Sequence, residues 1–227
     1  MKDPSDVVEK APRERRNRDP EMMDAALRLF ARKGYSAASV QDVADAIGVL
    51  KGSVYHYIES KEDLLFRIFH EAHLENEALM AEIAALDVEP RERLRAYLER
   101  TVLTTLKNIE RTTLYFRDWR HLTGKRRETL ARDRARYDQF LRQLIEVAYK
   151  AEGLKSPVDL KHVSSFVIGG TNWVADWFRP GGTDTVESVA ADYTTLAMTA
   201  ILGIASPHRS PSNRRVARRA ASKTTDR

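Results

Sequence analysis

Residues 39–61, SVQDVADAIGVLKGSVYHYIESK, carry two short apolar patterns separated by a glycine. Val40, Val43, Ala44 and Ile47 fall at i, i+3, i+4 and i+7, one face of a helix, and Gly48 stops that helix where a backbone free to take positive φ is useful. After Val49 and Leu50, a second helix is predicted over Lys51 to Ile58. In it Val54, Tyr57 and Ile58 turn inward, and Lys51, Ser53, Tyr55 and His56 stay on the other side. A helix, a glycine turn and a second helix with that outward set suits DNA. Lysine reaches phosphate or guanine, serine and tyrosine reach phosphate oxygens or base edges, and histidine donates or accepts near the groove wall. In a helix-turn-helix the second helix enters the major groove.

The run GVLKGSVYHYIESKEDLL resembles the end of the DNA-binding domain of the TetR family of transcriptional repressors. That family's turn and recognition helix have the form G-[VI]-x-x-[GA]-[ST]-[LV]-Y-x-[YH]-F, followed by S-K-E-x-L. Gly48, Val49, Gly52, Ser53, Val54, Tyr55, Tyr57, Ser60, Lys61, Glu62 and Leu64 match. Leu50 stands where the family often has a serine cap, and Ile58 where it usually has phenylalanine. A lost side-chain cap costs about 1 kcal/mol of local helix stability, so the recognition helix is expected to complete its order on DNA. The resemblance implies DNA contacts from Ser39, Gln41, Lys51, Gly52, Ser53, Tyr55, His56, Tyr57 and Lys61, on a palindromic operator read by a homodimer.

A chain of 227 residues with no cysteine excludes a disulfide framework and thiolate zinc sites, and fits a reducing cytoplasm. No apolar stretch reaches the length of a bilayer span, so a soluble protein without a membrane partner is expected. The net charge of +5 is misleading as a DNA signal. From Ala205 onward seven arginines and lysines face the single acid Asp226, so the rest of the chain is slightly acidic and local placement of charge carries the argument.

The expected fold is all-α: a small three-helix helix-turn-helix head and a larger helical ligand-binding and dimerisation domain, about nine helices in total. Residues 1–18 read as a disordered arm. Its Arg13, Arg15, Arg16 and Arg18 either lie on DNA or form a solvated leader. The head spans 19–62. Asp19-Pro20-Glu21 starts its first helix with Asp19 as cap, Met22, Ala25, Ala26, Leu29 and Phe30 form the buried stripe, and Gly34 ends it. Ser39 and Asp42 make a capping pair for the next helix.

The larger domain spans 63–205. Ser60 caps a long fourth helix reading to about Leu86, with Leu64, Leu65, Ile68, Phe69 and Ala72 buried; a shift of this strut would change the spacing of two recognition helices in a dimer. Pro90 starts a fifth helix, and residues 112–122 form a sixth bearing Tyr115, Phe116 and Trp119. A long seventh repeats Tyr137, Phe140, Leu141, Leu144, Ile145 and Ala148 and closes at Gly153. Ser156-Pro157-Val158-Asp159 starts an eighth helix, apolar nearly all round and expected to be buried on more than one side. The last runs from about Thr185. Residues 206–227 shift to Ser, Pro, Arg and Ala without a period, the composition of a disordered basic tail adding sequence-independent DNA attraction.

The run GGTNWVADWFRPGG is similar to the N-W-x-x-x-W-[YF]-R-P-G-G segment of a TetR subgroup that answers to acyl-CoA thioesters of fatty-acid, steroid or related degradation. Asn172, Trp173, Trp177, Phe178, Arg179, Pro180, Gly181 and Gly182 match. The resemblance implies a small-molecule effector, with no cofactor, and a dimer through the last two helices. Such a ligand needs an apolar tunnel and cations for its phosphates, which points to Phe116, Trp119, Arg120, Phe140, Trp173, Trp177 and Arg179, with Arg117 as a further cation. Core packing is the competing role for the aromatics, and a helix C-terminal cation for Arg179. Two other classes stay open. His70 with His73, Asp118 with His121 and Asp159 with His162 have ligand-like spacing for a helical metalloenzyme, although HExxH is absent. A sequence-independent architectural DNA-binding protein would account for the tail and not for the large apolar domain.

Overall fold

The computed structural model describes residues 18–204 and 206–207. They divide into two compact units between Leu65 and Phe66.

The first unit holds α1 (Asp19–Lys33), α2 (Val40–Ala46), α3 (Lys51–Val54) and the first residues of α4 (Lys61–Ala85). Its core is made by Met22, Ala26, Phe30, Val43, Ala44, Val54, Leu64 and Leu65, each essentially fully buried. The predicted stripe of α1 is therefore the packing face, and Met23 adds to it. Arg18, not Asp19, is the N-cap residue, and no side chain caps that end; Asp19 lies inside the first turn, where its carboxylate still faces the positive end of the helix dipole. Gly34 and Gly48 both take positive φ, 83° and 67°, and end the helices before them. At α2 the capping box is complete. The Asp42 amide donates to Ser39 Oγ at 3.1 Å, and the Ser39 amide donates to Asp42 Oδ2 at 2.7 Å.

α3 is shorter than the expected 51–58. It is one α-turn, Lys51–Val54, continued by turns in which the His56 amide donates to Ser53 O at 3.3 Å and the Tyr57 amide to Val54 O at 2.9 Å. Leu50 offers no side-chain cap and Gly52 sits in the helix interior, where glycine costs about 1 kcal/mol relative to alanine. The burial of Val54 and Ile58 holds the segment where propensity does not. Ile58 thus fills the position the family usually gives to phenylalanine.

The second unit contains the rest of α4, α5 (Pro90–Lys107), α6 (Ile109–Asp118), a 3₁₀ turn (Trp119–His121), α7 (Gly124–Ala151), α8 (Leu160–Trp177) and α9 (Val186–Gly203). Nine α-helices are thus found among the described residues. The larger core joins Leu94 and Leu98 of α5, Leu141 and Ile145 of α7, Val163 and Val167 of α8 and Met198 and Ile201 of α9. A second cluster gathers Val102, Leu106, Val174, Phe178, Val189 and Ala190. Thr185 caps α9 in another capping box, with Ser188.

Two helix boundaries differ from the sequence reading. α6 begins at Ile109, because Asn108 alone, at φ −116° and ψ 40°, separates it from α5. α8 begins after Asp159, whose Oδ1 accepts the Lys161 amide at 2.8 Å, while the Ser156 hydroxyl donates to the Val158 carbonyl and makes a turn instead of a cap. The chain is also not wholly helical: β1 (Leu154–Lys155), just after the Gly153 turn, pairs antiparallel with β2 (Ser206–Pro207). Residues 206 and 207 therefore belong to a paired strand, and the remainder of the expected tail lies outside the described residues.

Within one chain α8 packs on α5, α6, α7 and α9, and the rest of its apolar surface is left exposed. Phe166 is 72% exposed and Trp173 61%, and on α9 Leu196 is 64% exposed. The apolar period was read correctly; part of the surface it covers is turned to solvent.

Candidate DNA-reading face and ligand chamber

In the first unit Lys51, Gly52, Tyr55, His56 and Tyr57 are exposed on and just after α3, and Ser53 is half-buried among them. Tyr55 is 47% and Tyr57 42% exposed. Tyr57 was expected to turn inward; the chain leaves α-helical geometry after Val54, so it faces out with the polar set. Ser39 and Gln41 are exposed at the start of α2, where the Gln41 amide nitrogen donates to Asp45 Oδ1 at 2.7 Å.

Lys61, expected to meet DNA, and Arg18, left open between DNA and a solvated leader, are both held by the fold. The Lys61 ammonium donates to the Ala38 carbonyl at 2.7 Å and lies 4.2 Å from the centroid of the Tyr35 ring, so it pins the α1–α2 loop. The Arg18 guanidinium donates to the Ile47 carbonyl at 2.9 Å, satisfying a C-terminal carbonyl of α2. Arg13, Arg15 and Arg16 lie outside the described residues. Lys33 Nζ is 2.7 Å from Asp42 Oδ1. That lysine, then the hydroxyl and amide of Ser39, hold the Asp42 carboxyl well below the usual carboxylate range.

The second unit carries a half-open chamber of about 860 Å³ walled by α4, α5, α6, α7 and α8. Of the residues expected to hold a ligand, it brings together Phe116 and Trp173, with Arg117 beside them. The other five lie elsewhere. Trp119 packs against the Arg127 guanidinium, 5.2 Å from its ring. Phe140 meets Tyr97 edge-on at 5.1 Å and lies on the larger core. Trp177 donates its indole N–H to Tyr193 Oη at 2.9 Å, fixing α8 against α9. Arg179 donates to the carbonyls of Asp176 and Phe178 at 2.8 and 3.1 Å, the helix-end role that competed with ligand binding. Arg120 is exposed on the 3₁₀ turn and does not line the chamber.

Sequence reasoning missed the chamber's polar wall. Arg111, Arg134, His73 and Tyr137 line it, with Arg111 held in a two-pronged pair with Glu75. Tyr137 was read as one more apolar residue of the α7 stripe, and His73 as a metal candidate. A tyrosine and a histidine on the buried faces of two helices were the available signal, because each has a polar atom that needs a partner. For the metal reading, no group of three or more His, Asp or Glu stands in coordinating positions among the described residues, and Asp118 lies 2.8 Å from Arg117 Nε as well as 3.6 Å from His121 Nε2.

Residues 22–68 match the family model for bacterial regulatory proteins of the tetR family, and residues 87–201 match the tetracyclin repressor-like C-terminal domain. The chain belongs to the TetR family. It is a transcriptional repressor of that family and not an enzyme. A curated relative, the HTH-type transcriptional repressor KstR2 of Rhodococcus jostii, is 32% identical over 197 residues, covering 84% of this chain and 93% of its own. Among solved structures, the TetR family regulator PfmR from Thermus thermophilus aligns with a TM-score of 0.71 at 29% identity, over 78% of this chain and 96% of the other. AibR, solved with isovaleryl coenzyme A and operator DNA, aligns with a TM-score of 0.70 at 28% identity, over 78% and 96%. The all-α TetR architecture expected from residues 48–64 is thereby shown for the described residues, the short β1–β2 pair being a local addition. Among the described residues no helix is long and apolar enough to cross a membrane.

Proposed function

We propose that this repressor acts in the cytoplasm as a homodimer on a palindromic operator and leaves it when an acyl-CoA thioester fills the α4–α8 chamber. The observation that carries the effector class is the chamber itself: about 860 Å³, with Phe116 and Trp173 for an apolar acyl group and Arg111, Arg117 and Arg134 as cations for phosphates. The isovaleryl coenzyme A held by AibR supports the same reading. No further cofactor is required by it.

The uncovered apolar face of α8 and α9, with Phe166 and Leu196 exposed, supports the dimer, because a patch of that kind on a soluble protein marks an interaction surface. Gly169 and Gly170 are also exposed there, with open space where a Cβ would stand. A two-fold partner on that face gives two reading segments for two half-sites, with Ser39, Gln41, Lys51, Gly52, Ser53, Tyr55, His56 and Tyr57 as the contacts.

α4 supplies the link between ligand and release. Phe69, Ala72 and His73 of α4 line the chamber, so a ligand there bears directly on that helix.

The effector class is tested by titrating acyl-CoA thioesters of graded chain length and ring type into the full-length protein. One class should raise the melting temperature in proportion to the logarithm of its concentration above Kd. If no thioester does so while free CoA and fatty acids are equally silent, the effector class is wrong.

A further inference from the structure

One face of α7 forms part of the chamber wall. Arg134, Tyr137, Asp138 and Leu141 line it, and their spacing of i, i+3, i+4 and i+7 is a single helical stripe. Arg134 is the first residue of that stripe and is exposed. Tyr115 of α6 lines the same space. Burial pushes its phenol up, and the Arg134 charge acts against that shift, so the guanidinium lies within electrostatic reach of Tyr115.

Among the described residues three arginines and no lysine line the chamber, and the fold has used two of the three. Arg111 gives one arm to Glu75 Oε1 at 3.0 Å and the other to Oε2, and only 13% of its side chain is exposed. Arg117 Nε donates to Asp118 Oδ2 at 2.8 Å, and Asp118 is itself buried. An incoming anion at either place must displace a carboxylate from its cation, and the displaced charge then loses its partner.

Arg134 carries no such tie. The acid on its own stripe, Asp138, accepts from the Ser164 hydroxyl at 2.6 Å and pairs with Arg142 at 2.8 Å. Among the described residues the Arg134 guanidinium has neither a hydrogen bond nor an ion pair. Asp176 of α8 also lines the chamber and forms no ion pair among those residues, which disfavours an anion beside that acid.

We propose that Arg134 is the chamber's anion subsite: it takes one anionic group of the effector, and Arg111 and Arg117 serve as framework. This rests on the chamber being the effector site, and it narrows three candidate cations to one. A guanidinium receives a phosphate or a carboxylate by the same two-pronged hydrogen bonds. An acyl-CoA can bring either, as a phosphate of its nucleotide end or a carboxylate on its acyl group.

Calorimetric titration of the full-length protein and of Arg134→Gln with three ligands separates the cases. The ligands are octanoyl-CoA, S-octanoyl-pantetheine, which lacks every phosphate, and S-(7-carboxyheptanoyl)-pantetheine, which adds a carboxylate to the second. If a CoA phosphate is the anion, the variant binds octanoyl-CoA about tenfold more weakly and octanoyl-pantetheine as the native protein does. If an acyl carboxylate is the anion, the variant loses that factor on the carboxylated pantetheine alone. All three ligands bound alike by native protein and variant overturns the inference and leaves the effector class standing. An equal loss on all three marks a structural part for Arg134 and overturns it too. Failure of every ligand to bind the native protein overturns the inference together with the effector class.

Discussion

The ammonium of Lys61 lies 2.7 Å from the carbonyl oxygen of Ala38, twenty-three positions earlier in the chain. The start of α4 thereby closes the loop that delivers Ser39 to the head of α2, with Lys61 also resting on the Tyr35 ring. In this family's motif a lysine at that place reads naturally as a DNA contact, and the geometry gives it a supporting part.

Lys61 and Lys51 should therefore fail differently. Lys61→Met is expected to lower the melting temperature, since a half-buried charged hydrogen bond contributes about 1.5 to 3 kcal/mol, and to weaken operator binding only through loss of the loop. Lys51→Ala is expected to leave the melting temperature unchanged and to reduce the slope of log affinity against log salt by about 1. Thermal melts and salt titrations of the two variants check this; a full unit of slope lost in Lys61→Met with no change in melting would reverse the assignment.

Asp42 should make the first unit's stability sensitive to acid. Its folded carboxyl is held below its ordinary value by Lys33 and Ser39, so the unfolded chain binds a proton more readily. The stabilisation is present above about pH 4 and fades as the pH falls towards the lowered folded value. The melting difference between native protein and Asp42→Asn should be constant from pH 5 to 7 and shrink only below pH 4.

His73 gives the opposite chemistry and the same direction. Its folded imidazole titrates near 4 against an ordinary 6.5, with burial as the main cause. Protons then bind the unfolded state preferentially between those values, so stability is full above pH 6.5 and is lost as the pH falls through 4. His73→Phe should flatten the melting curve across that window, and an unchanged pH dependence would contradict the burial of a neutral ring.

The open face of α8 and α9 predicts an oligomer that single substitutions can break. Leu196→Arg and Phe166→Glu touch side chains exposed in one chain, so the fold should survive while light scattering shows a monomer. Loss of operator affinity should follow, since one reading head replaces two. Either variant remaining dimeric at micromolar concentration would place the interface elsewhere.

The head was legible in the sequence because its signals are local. The Ser39–Asp42 capping box, Gly34, Gly48 and the period of Met22, Ala26 and Phe30 each act within a few residues, and the structure shows each in the expected role. The helices of the larger unit were legible for the same reason, to within a few residues at their ends. The chamber was not. Its lining is decided by which of several helices meet, so Trp177 and Trp119, aromatic in the right stretches, find partners in Tyr193 and Arg127 instead of a ligand space. Periodicity also could not separate a face covered by the same chain from one left for another molecule, so it did not say which side of α8 meets α5, α6, α7 and α9. The length of α3 was misjudged because eight residues with apolar period leave unsaid whether an uncapped Leu50 and an interior Gly52 can sustain two turns.

The account stands on operator release. Full-length protein selected against random duplexes should recover a palindrome with half-sites about one helical turn apart, and fluorescence anisotropy on that duplex should show an acyl-CoA thioester weakening binding at least about tenfold, a coupling within the usual range of about 1 to 3 kcal/mol. Recovery of no preferred sequence, or an affinity for the selected duplex that every thioester leaves untouched, would contradict it.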